Sequence, residues 1–184
     1  MDYGFLWQQK DIPKWAPIYG GVRGRTMSSH YPAHAWKTLQ EAGVKLIIDL
    51  RDNDTTARLK GLCELHGMNY YHYPIHTNAE VIAQMAEHFE QFCRLIDAGD
   101  FYISCAMGLH RTDIALCTYW VFYGANKGLR PPRIRGYSAV DGHRIDKINR
   151  VLNALYAAFT ERNGVEPMPQ NLFKTRKEIL LQQV

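Results

Sequence analysis

Residues 101–112 read Phe101-Tyr102-Ile103-Ser104-Cys105-Ala106-Met107-Gly108-Leu109-His110-Arg111-Thr112 and place a cysteine and an arginine six residues apart around a glycine. The first three residues are β-branched or aromatic and follow a Gly-Asp pair, a pattern typical of a buried strand. From Thr112 onward, apolar residues continue without a glycine until Gly124, which favours a mostly buried helix. The sequence therefore predicts a strand, a loop that begins at Cys105, and a helix.

This loop predicts a binding site for one phosphate group. Its successive backbone N–H groups can converge on an anion, and the positive end of the following helix dipole points at the same place. The planar guanidinium of Arg111 matches two phosphate oxygens at once. The residues predicted to bind phosphate are Ala106, Met107, Gly108, Leu109, His110 and Arg111.

The positive potential of the loop amides, the helix dipole and Arg111 also acts on Cys105. A free thiol has a pKa of about 8.5, and helix N-termini or cationic neighbours lower it to roughly 3.5–7.5. Cys105 is therefore predicted to be a thiolate at neutral pH and to attack phosphorus. The hydroxyl of Thr112, directly after the arginine, is predicted to hydrogen-bond the sulfur and to help it leave in a second half-reaction.

At Cys105, Gly108, Arg111 and Thr112 the chain resembles the cysteine-based protein tyrosine phosphatase superfamily. The signature of that superfamily is cysteine, five residues, arginine, then serine or threonine. Residues 18–24 and 43–51 look like the opening of the compact dual-specificity phosphatases, so that the resemblance covers roughly residues 15 to 160. It implies a phosphomonoester hydrolase that works through a phosphocysteine intermediate, without a metal ion or another cofactor.

Two positions depart from the family pattern. The family usually has histidine before the nucleophile, whereas this chain has Ser104. The hydrogen bonds that brace the loop must then come from elsewhere or be weaker. The family also carries an aspartate as general acid on the loop before its long helix, and the equivalent residues 73–80 contain none.

Three residues are candidates for the missing acid. His76 titrates near neutrality, as a general acid should, although a solvated loop histidine is the alternative. Asp52 and Asp54 follow the predicted strand 44–50, and the carboxyl ends of parallel strands share one edge where ligands bind. Capping of the next helix is the alternative role for Asp54.

The order of predicted elements indicates an α/β fold. Strands are predicted near 17–23, 44–50, 69–73 and 100–105, and helices near 33–42, 55–66, 79–97, 112–123 and 142–161. Such alternation predicts a single three-layer domain with a mainly parallel central sheet flanked by helices. The helix at 79–97 has the clearest period, since its apolar residues share one face.

Length and composition set the outer limits. A chain of 184 residues with a net charge of +4 fits one domain over residues 1–184, with a helical tail near 170–184. No apolar run reaches the roughly 18–20 residues of a membrane span, and no signal peptide is evident. The four cysteines form no CxxC pair, which fits a reducing compartment. We therefore predict a cytoplasmic protein.

The cysteines other than Cys105 are predicted to pack as small hydrophobes; they are Cys63, Cys93 and Cys117. A protective disulfide between one of them and Cys105 is the alternative.

Basic residues cluster after the predicted signature helix; they are Lys127, Arg130, Arg133, Arg135, Arg144, Lys147 and Arg150. This basic cluster either attracts a multiply charged substrate to the site or is a solvated surface. No basic motif studded with aromatic residues marks a nucleic-acid-binding module, so nucleic acid is not an expected partner.

The leading functional hypothesis is a protein tyrosine or dual-specificity phosphatase acting on a phosphorylated protein. One alternative is a phosphatase for an inositol polyphosphate or a phosphoinositide, a small polyanionic phosphoester. Another is a phosphate-binding module with little catalysis. Sulfur transfer or arsenate reduction on a similar loop is a third, against which the spacing from Cys105 to Arg111-Thr112 argues.

Overall fold

The structure is a computed structural model, and it describes residues 15–27, 33–52, 56–76, 78–135 and 143–163. Within these ranges the strands are β1 (Ala16–Ile18), β2 (Gly21–Arg25), β3 (Leu46–Asp49), β4 (Asn69–His72) and β5 (Phe101–Cys105). The helices are α1 (Ala33–Glu41), α2 (Thr56–Leu65), α3 (Ala79–Ala98), α4 (His110–Tyr119) and α5 (His143–Asn163). A π-helical turn, Trp120–Gly124, and a 3₁₀ turn, Ala125–Lys127, continue α4.

The strands form one sheet in the order β1-β2-β5-β3-β4. β5 is the central strand and runs parallel to both β2 and β3, and β3 runs parallel to β4. Only the pairing of β1 with β2 is antiparallel within this sheet. The predicted α/β class with a mainly parallel sheet is confirmed.

The single strand predicted at 17–23 is wrong, because the chain reverses in the middle of it. Ile18 pairs with Gly21 across a two-residue turn, and Tyr19 and Gly20 both have positive φ, 49° and 78°. Hairpin turns whose two central residues have positive φ match the right-handed twist of the flanking strands. Glycine adopts this conformation readily, whereas tyrosine seldom signals it.

Among the described residues, the chain forms two compact units. The first contains residues up to 74 and residues 90–112, and therefore the whole sheet. On one face of the sheet, side chains from α1 and α2 pack against three strands; this cluster includes Trp36, Leu39, Leu59, Cys63, Val22, Ile47 and Tyr102. Burial of these apolar groups supplies the main driving force for this layer.

The second unit contains residues 75–89 and those after 112. Its aromatic contacts are centred on Phe122, whose ring lies 5.0 Å from the rings of Phe89 and Tyr156. The indole N–H of Trp120 donates to the carbonyl of Leu129 at 2.8 Å. Part of the predicted basic cluster lies here, with Lys127, Arg130 and Arg133 exposed, while the tail near 170–184 is outside the described residues.

No described helix combines the length and the apolar character that crossing a membrane requires. The prediction of a single domain over residues 1–184 stays a prediction.

Candidate active site

The site is built at the carboxyl end of the central strand. Cys105 is the last residue of β5, next to Arg25 of β2, and Ser104 is next to Asp49 of β3. The amide of Thr26 donates to the carbonyl of Cys105 at 3.0 Å, and that of Leu50 donates to the carbonyl of Ser104 at 2.9 Å. Both neighbouring strands thus hold the end of β5, which fixes the point where the loop begins.

The loop turns at Gly108, which has a φ of +64° and whose amide donates to the carbonyl of Cys105 at 3.1 Å. A Cβ atom at this position would overlap the carbonyl oxygen of Gly24 and would lie 2.8 Å from the amide nitrogen of Arg25. Both the positive φ and the backbone contact exclude a side chain. Glycine at 108 is therefore required for the loop to lie against β2.

The helix after the loop begins earlier than its sequence pattern predicts, at His110 and not at 112. Arg111 and Thr112 therefore lie in the first turn of α4, where free N–H groups and the helix dipole favour negative charge. The hydroxyl of Thr112 donates to the sulfur of Cys105 at 3.4 Å. The cysteine, the arginine and the threonine of the sequence motif thus lie around one loop.

Opposing effects act on the acidity of Cys105, which is 3% exposed. Burial raises the pKa of its thiol, because a charged sulfur loses solvation. Hydrogen bonds from the Thr112 hydroxyl and from the backbone amides of Thr112, Met107 and Leu109 lower that pKa. The net result is a pKa below the ordinary value, so the loop stabilises the thiolate.

Asp52 lies beside the arginine of the loop. Its Oδ1 is 2.5 Å from Nη2 of Arg111, and the two side chains are 23% and 30% exposed. The sequence proposed Asp52 as an acid candidate near Cys105, and the structure brings it to Arg111. In this arrangement the Asp52 carboxylate is engaged by the guanidinium of Arg111.

A second ion pair lies at the end of β3, where sequence reasoning proposed no function. Nε and Nη2 of Arg51 donate to Oδ1 and Oδ2 of Asp49 at 2.8 and 2.7 Å, and the hydroxyl of Tyr70 donates to Oδ2 at 3.1 Å. Asp49 is fully buried and Arg51 is 7% exposed. The hydrogen bonds to Asp49 are the largest influence on the Arg51 guanidinium, whose pKa is raised even though burial opposes the charge.

Arg23 is a further buried cation that the sequence pattern missed. It is 3% exposed on β2, and its Nη2 donates to the carbonyl of Gly108 at 3.1 Å. Its partner is 85 residues away along the chain, so no local pattern reveals the contact. A charged residue between two strand glycines, Gly21 and Gly24, was the available signal, since glycines in strands mark close backbone approach.

The other two acid candidates are His76 and Asp54. His76 is exposed between β4 and α3, and its Nδ1 accepts a hydrogen bond from the amide of Asn78 at 3.2 Å. Asp54 lies outside the described residues. His76 and Asp54 therefore stay predictions as general acids.

All four cysteines are buried and none is in a disulfide. Burial raises the pKa of Cys63 to about 12, as expected for a thiol packed in the core. Cys63 and Cys105 therefore differ in acidity because only one of them faces convergent donors.

No protein-family model and no curated protein sequence matches the chain. Among solved structures, a "putative phosphatase (DUF442)" from Shewanella putrefaciens matches with a TM-score of 0.53 and 16% sequence identity, over 84% of this chain and 98% of that chain. The core catalytic domain of the PP-IP phosphatase SIW14 from S. cerevisiae matches with a TM-score of 0.46 and 16% identity, over 77% of each chain. The Yvh1 phosphatase domain from Chaetomium thermophilum matches with a TM-score of 0.41 and 17% identity, over 87% of this chain and 90% of that chain.

Identities this low show a shared fold and nothing finer. The Shewanella structure supports the shared fold, because its TM-score is above 0.5 and the match covers 98% of that chain. The α/β fold predicted from the sequence is therefore shared with this solved structure.

Proposed function

We propose that this chain, which has the fold of the cysteine-based tyrosine phosphatases, is a metal-independent phosphomonoester hydrolase. The observation that carries the proposal is the convergence on Cys105 of one hydroxyl and three backbone amides, with Arg111 in the adjoining helical turn. Such an arrangement suits both a thiolate and the phosphoryl group that it attacks, because preorganised donors stabilise the charge that develops in the transition state.

In the first step, the thiolate sulfur of Cys105 attacks phosphorus in line with the ester oxygen. The S–P bond forms, the P–O bond to the leaving group breaks, and the leaving oxygen takes a proton from a general acid. Loop amides and the guanidinium of Arg111 hold the three remaining oxygens. The donors that now stabilise the thiolate then serve the phosphoryl group bound at the same place.

In the second step, water attacks phosphorus, gives a proton to the conjugate base of the general acid, and displaces the sulfur. The S–P bond breaks, inorganic phosphate leaves and the thiolate returns. The hydroxyl of Thr112 lies 3.4 Å from the sulfur and stabilises it as a leaving group. A thiol with a lowered pKa is the better leaving group, so the same hydrogen bond serves both steps.

Residues His76 and Asp54 are the candidates for the general acid. Arg111 engages the carboxylate of Asp52 at 2.5 Å, which argues against Asp52 as the acid in this arrangement. A phenol with a low pKa leaves without a proton, so a substrate with such a leaving group separates the nucleophilic step from the acid.

The favoured substrate class is an aromatic phosphomonoester such as phosphotyrosine in a protein. Between the cysteine and the arginine the loop contributes Ala106, Met107 and Leu109 and no lysine. Met107 is 42% exposed, so it offers an apolar surface at the loop. An inositol polyphosphate would instead call for several cations, and its support is the basic cluster alone.

The test is hydrolysis of p-nitrophenyl phosphate from pH 5 to 8 in the presence of EDTA. We expect turnover by the wild type and by Cys63→Ala, a control that removes a buried thiol of the core. Cys105→Ser should lose turnover and keep phosphate binding. Hydrolysis by Cys105→Ser, or absence of hydrolysis by a folded, reduced wild type that binds phosphate, would contradict the proposal; the second result would favour a phosphate-binding module.

Substrate class is tested separately, with a phosphotyrosine peptide, a phosphoserine peptide and inositol hexakisphosphate at equal concentration. We expect the highest kcat/KM for the phosphotyrosine peptide and a loss with Met107→Ser for that substrate. Preference for the inositol compound would overturn the assignment of substrate and leave the chemistry of Cys105 intact.

A further inference from the structure

We propose that Arg23 is a positioning residue of the phosphate loop, whose guanidinium holds the Gly108–Leu109 peptide so that the Leu109 N–H points at Cys105. The inference deepens the proposed function and rests on it only where turnover is concerned. It identifies the source of the bracing that the sequence, with serine before the nucleophile, left open.

The contact itself is long in sequence and well buried. Nη2 of Arg23 donates to the carbonyl oxygen of Gly108 at 3.1 Å, and the two residues are 85 positions apart. Arg23 is 3% exposed. Burial of a cation is costly unless it is hydrogen-bonded, and the Gly108 carbonyl accepts one hydrogen bond from this buried guanidinium.

The geometry of one peptide bond links this contact to the nucleophile. In a trans peptide the C=O of one residue and the N–H of the next point in opposite directions, and the described residues contain no cis peptide. With the Gly108 carbonyl directed at Arg23, the N–H of Leu109 is directed away from it. That N–H is one of the three backbone donors to the sulfur of Cys105.

Strand β2 carries both Arg23 and the glycine, Gly24, that lets the loop approach closely. The loop lies against Gly24 so closely that a Cβ atom on Gly108 would overlap the Gly24 carbonyl. A Cβ atom on Gly24 would in turn overlap the hydroxyl of Tyr102. The backbone of β2 therefore fixes how close the loop lies to this strand. The side chain of Arg23 fixes the direction of the Gly108 carbonyl, and with it the orientation of the Gly108–Leu109 peptide.

The residue that precedes the nucleophile does not supply this bracing. Ser104 is fully buried, and its hydroxyl has no hydrogen-bond partner among the residues that the structure describes. The charged donor to the loop comes instead from the neighbouring strand. Replacing the side chain of Arg23 should thus loosen the loop from the β2 side.

The test compares Arg23→Met and Arg23→Lys with the wild type and with Arg94→Met. Arg94 is the matched control, an arginine on α3 that is exposed and pairs with Glu90 at 3.1 Å. The first readout is the pH dependence of Cys105 alkylation by iodoacetamide, followed by mass spectrometry of the Cys105 peptide. The second is kcat/KM for p-nitrophenyl phosphate, and circular dichroism verifies folding.

We expect Arg23→Met to shift the midpoint of alkylation to higher pH, because the thiolate loses an oriented donor. Its kcat/KM should fall on the order of 10²-fold, the effect of a small misplacement of reacting groups. Arg23→Lys, which keeps a donor without the planar fork, should show a smaller shift of the same sign. Arg94→Met should match the wild type in both readouts.

An unchanged midpoint in folded Arg23→Met would overturn the proposal, as would an equal change in Arg94→Met. If Arg23→Met fails to fold, Arg23→Lys decides, since an unshifted midpoint there has the same meaning. The proposed hydrolase activity and the proposed role of Arg23 can be refuted independently of each other. A wild type without turnover whose alkylation still depends on Arg23 would refute the hydrolase and keep the brace, and full turnover in folded Arg23→Met would do the reverse.

Discussion

Two adjacent parallel strands, β3 and β5, both end in charged or ionisable groups, yet they use them differently. At the end of β3, the carboxylate of Asp49 accepts hydrogen bonds from Arg51 and Tyr70 and is fully buried. At the end of β5, donors from the loop and from α4 converge on the single sulfur of Cys105. Arg111 beside them is 30% exposed and forms an ion pair with Asp52, whose side chain is 23% exposed.

The difference separates charge that serves the fold from charge that serves a ligand. Breaking a buried, doubly hydrogen-bonded ion pair in order to bind a ligand is costly, because the ion that loses its partner remains buried and without compensation for its lost solvation. A partly exposed pair costs little to open. Arg111 can therefore turn to a phosphate group, while Arg51 stays with Asp49.

The largest expected effect is on stability, from Asp49→Asn. Removing one partner of a buried ion pair leaves the other charge uncompensated and costs about 3–5 kcal/mol. We expect the free energy of unfolding, measured by urea denaturation, to fall by that amount. The double variant Asp49→Leu, Arg51→Met should lose less than Asp49→Asn alone, and an equal or larger loss would break the comparison.

The next effect is on turnover, from Arg111→Lys. Lysine keeps the charge and loses the planar fork that holds two phosphate oxygens. Loss of a donor to developing charge lowers kcat by roughly 10²–10³-fold, and the free energy of unfolding should change by less than about 1 kcal/mol. Steady-state kinetics and urea denaturation of the same variant check both halves. A large loss of stability with intact kcat would place Arg111 with Arg51 as a structural residue.

A smaller effect concerns the acidity of the nucleophile, from Thr112→Val. The threonine hydroxyl donates to the Cys105 sulfur at 3.4 Å. A hydrogen bond to a charged group contributes roughly 1.5 kcal/mol, which corresponds to about one pH unit. Because the bond lowers the pKa of Cys105, its loss should move the midpoint of alkylation upward by that amount.

The matched control for this variant is Thr38→Val, a buried helical threonine whose hydroxyl donates to the carbonyl of His34 at 2.8 Å. Its midpoint should equal that of the wild type. A downward shift in Thr112→Val, or the same shift in Thr38→Val, would show that the threonine hydroxyl does not stabilise the thiolate.

The smallest effect is expected from Asp52→Asn. The ion pair with Arg111 is partly exposed, so stability should change by about 0.2–1 kcal/mol at most. Removing a negative charge beside the anion site should strengthen the binding of inorganic phosphate a few-fold, measured by isothermal titration calorimetry at low salt. Weaker phosphate binding would mean that Asp52 orients the guanidinium and does not compete with the ligand.

The sequence predicted those parts of the molecule whose signals are local. The apolar period over 79–97 predicted α3, observed at Ala79–Ala98, and the motif from Cys105 to Thr112 predicted the strand, loop and helix. Apolar periodicity reports which face of one element is buried, and a motif reports spacing along one segment. Neither signal depends on knowing which residues of other elements pack against the segment.

The features that sequence reasoning missed depend on partners far away along the chain. Arg23 meets Gly108 only because β2 pairs with β5, and Asp49 meets Tyr70 only because β3 pairs with β4. The reversal at Tyr19 was missed for another reason, since the left-handed conformation at a tyrosine follows from strand pairing and not from its own preference. The contacts of buried charged residues in a fold of this kind therefore cannot be predicted until the strand order is known.

The central claim is that Cys105 becomes covalently phosphorylated during turnover. The most direct measurement mixes the wild type with a ³²P-labelled phosphotyrosine peptide, quenches in acid within milliseconds, and locates the label by digestion and mass spectrometry. We predict up to one phosphate per chain, on the peptide that contains Cys105, with formation and decay at rates compatible with kcat. Turnover without a labelled protein, or label on a peptide without Cys105, would contradict the account.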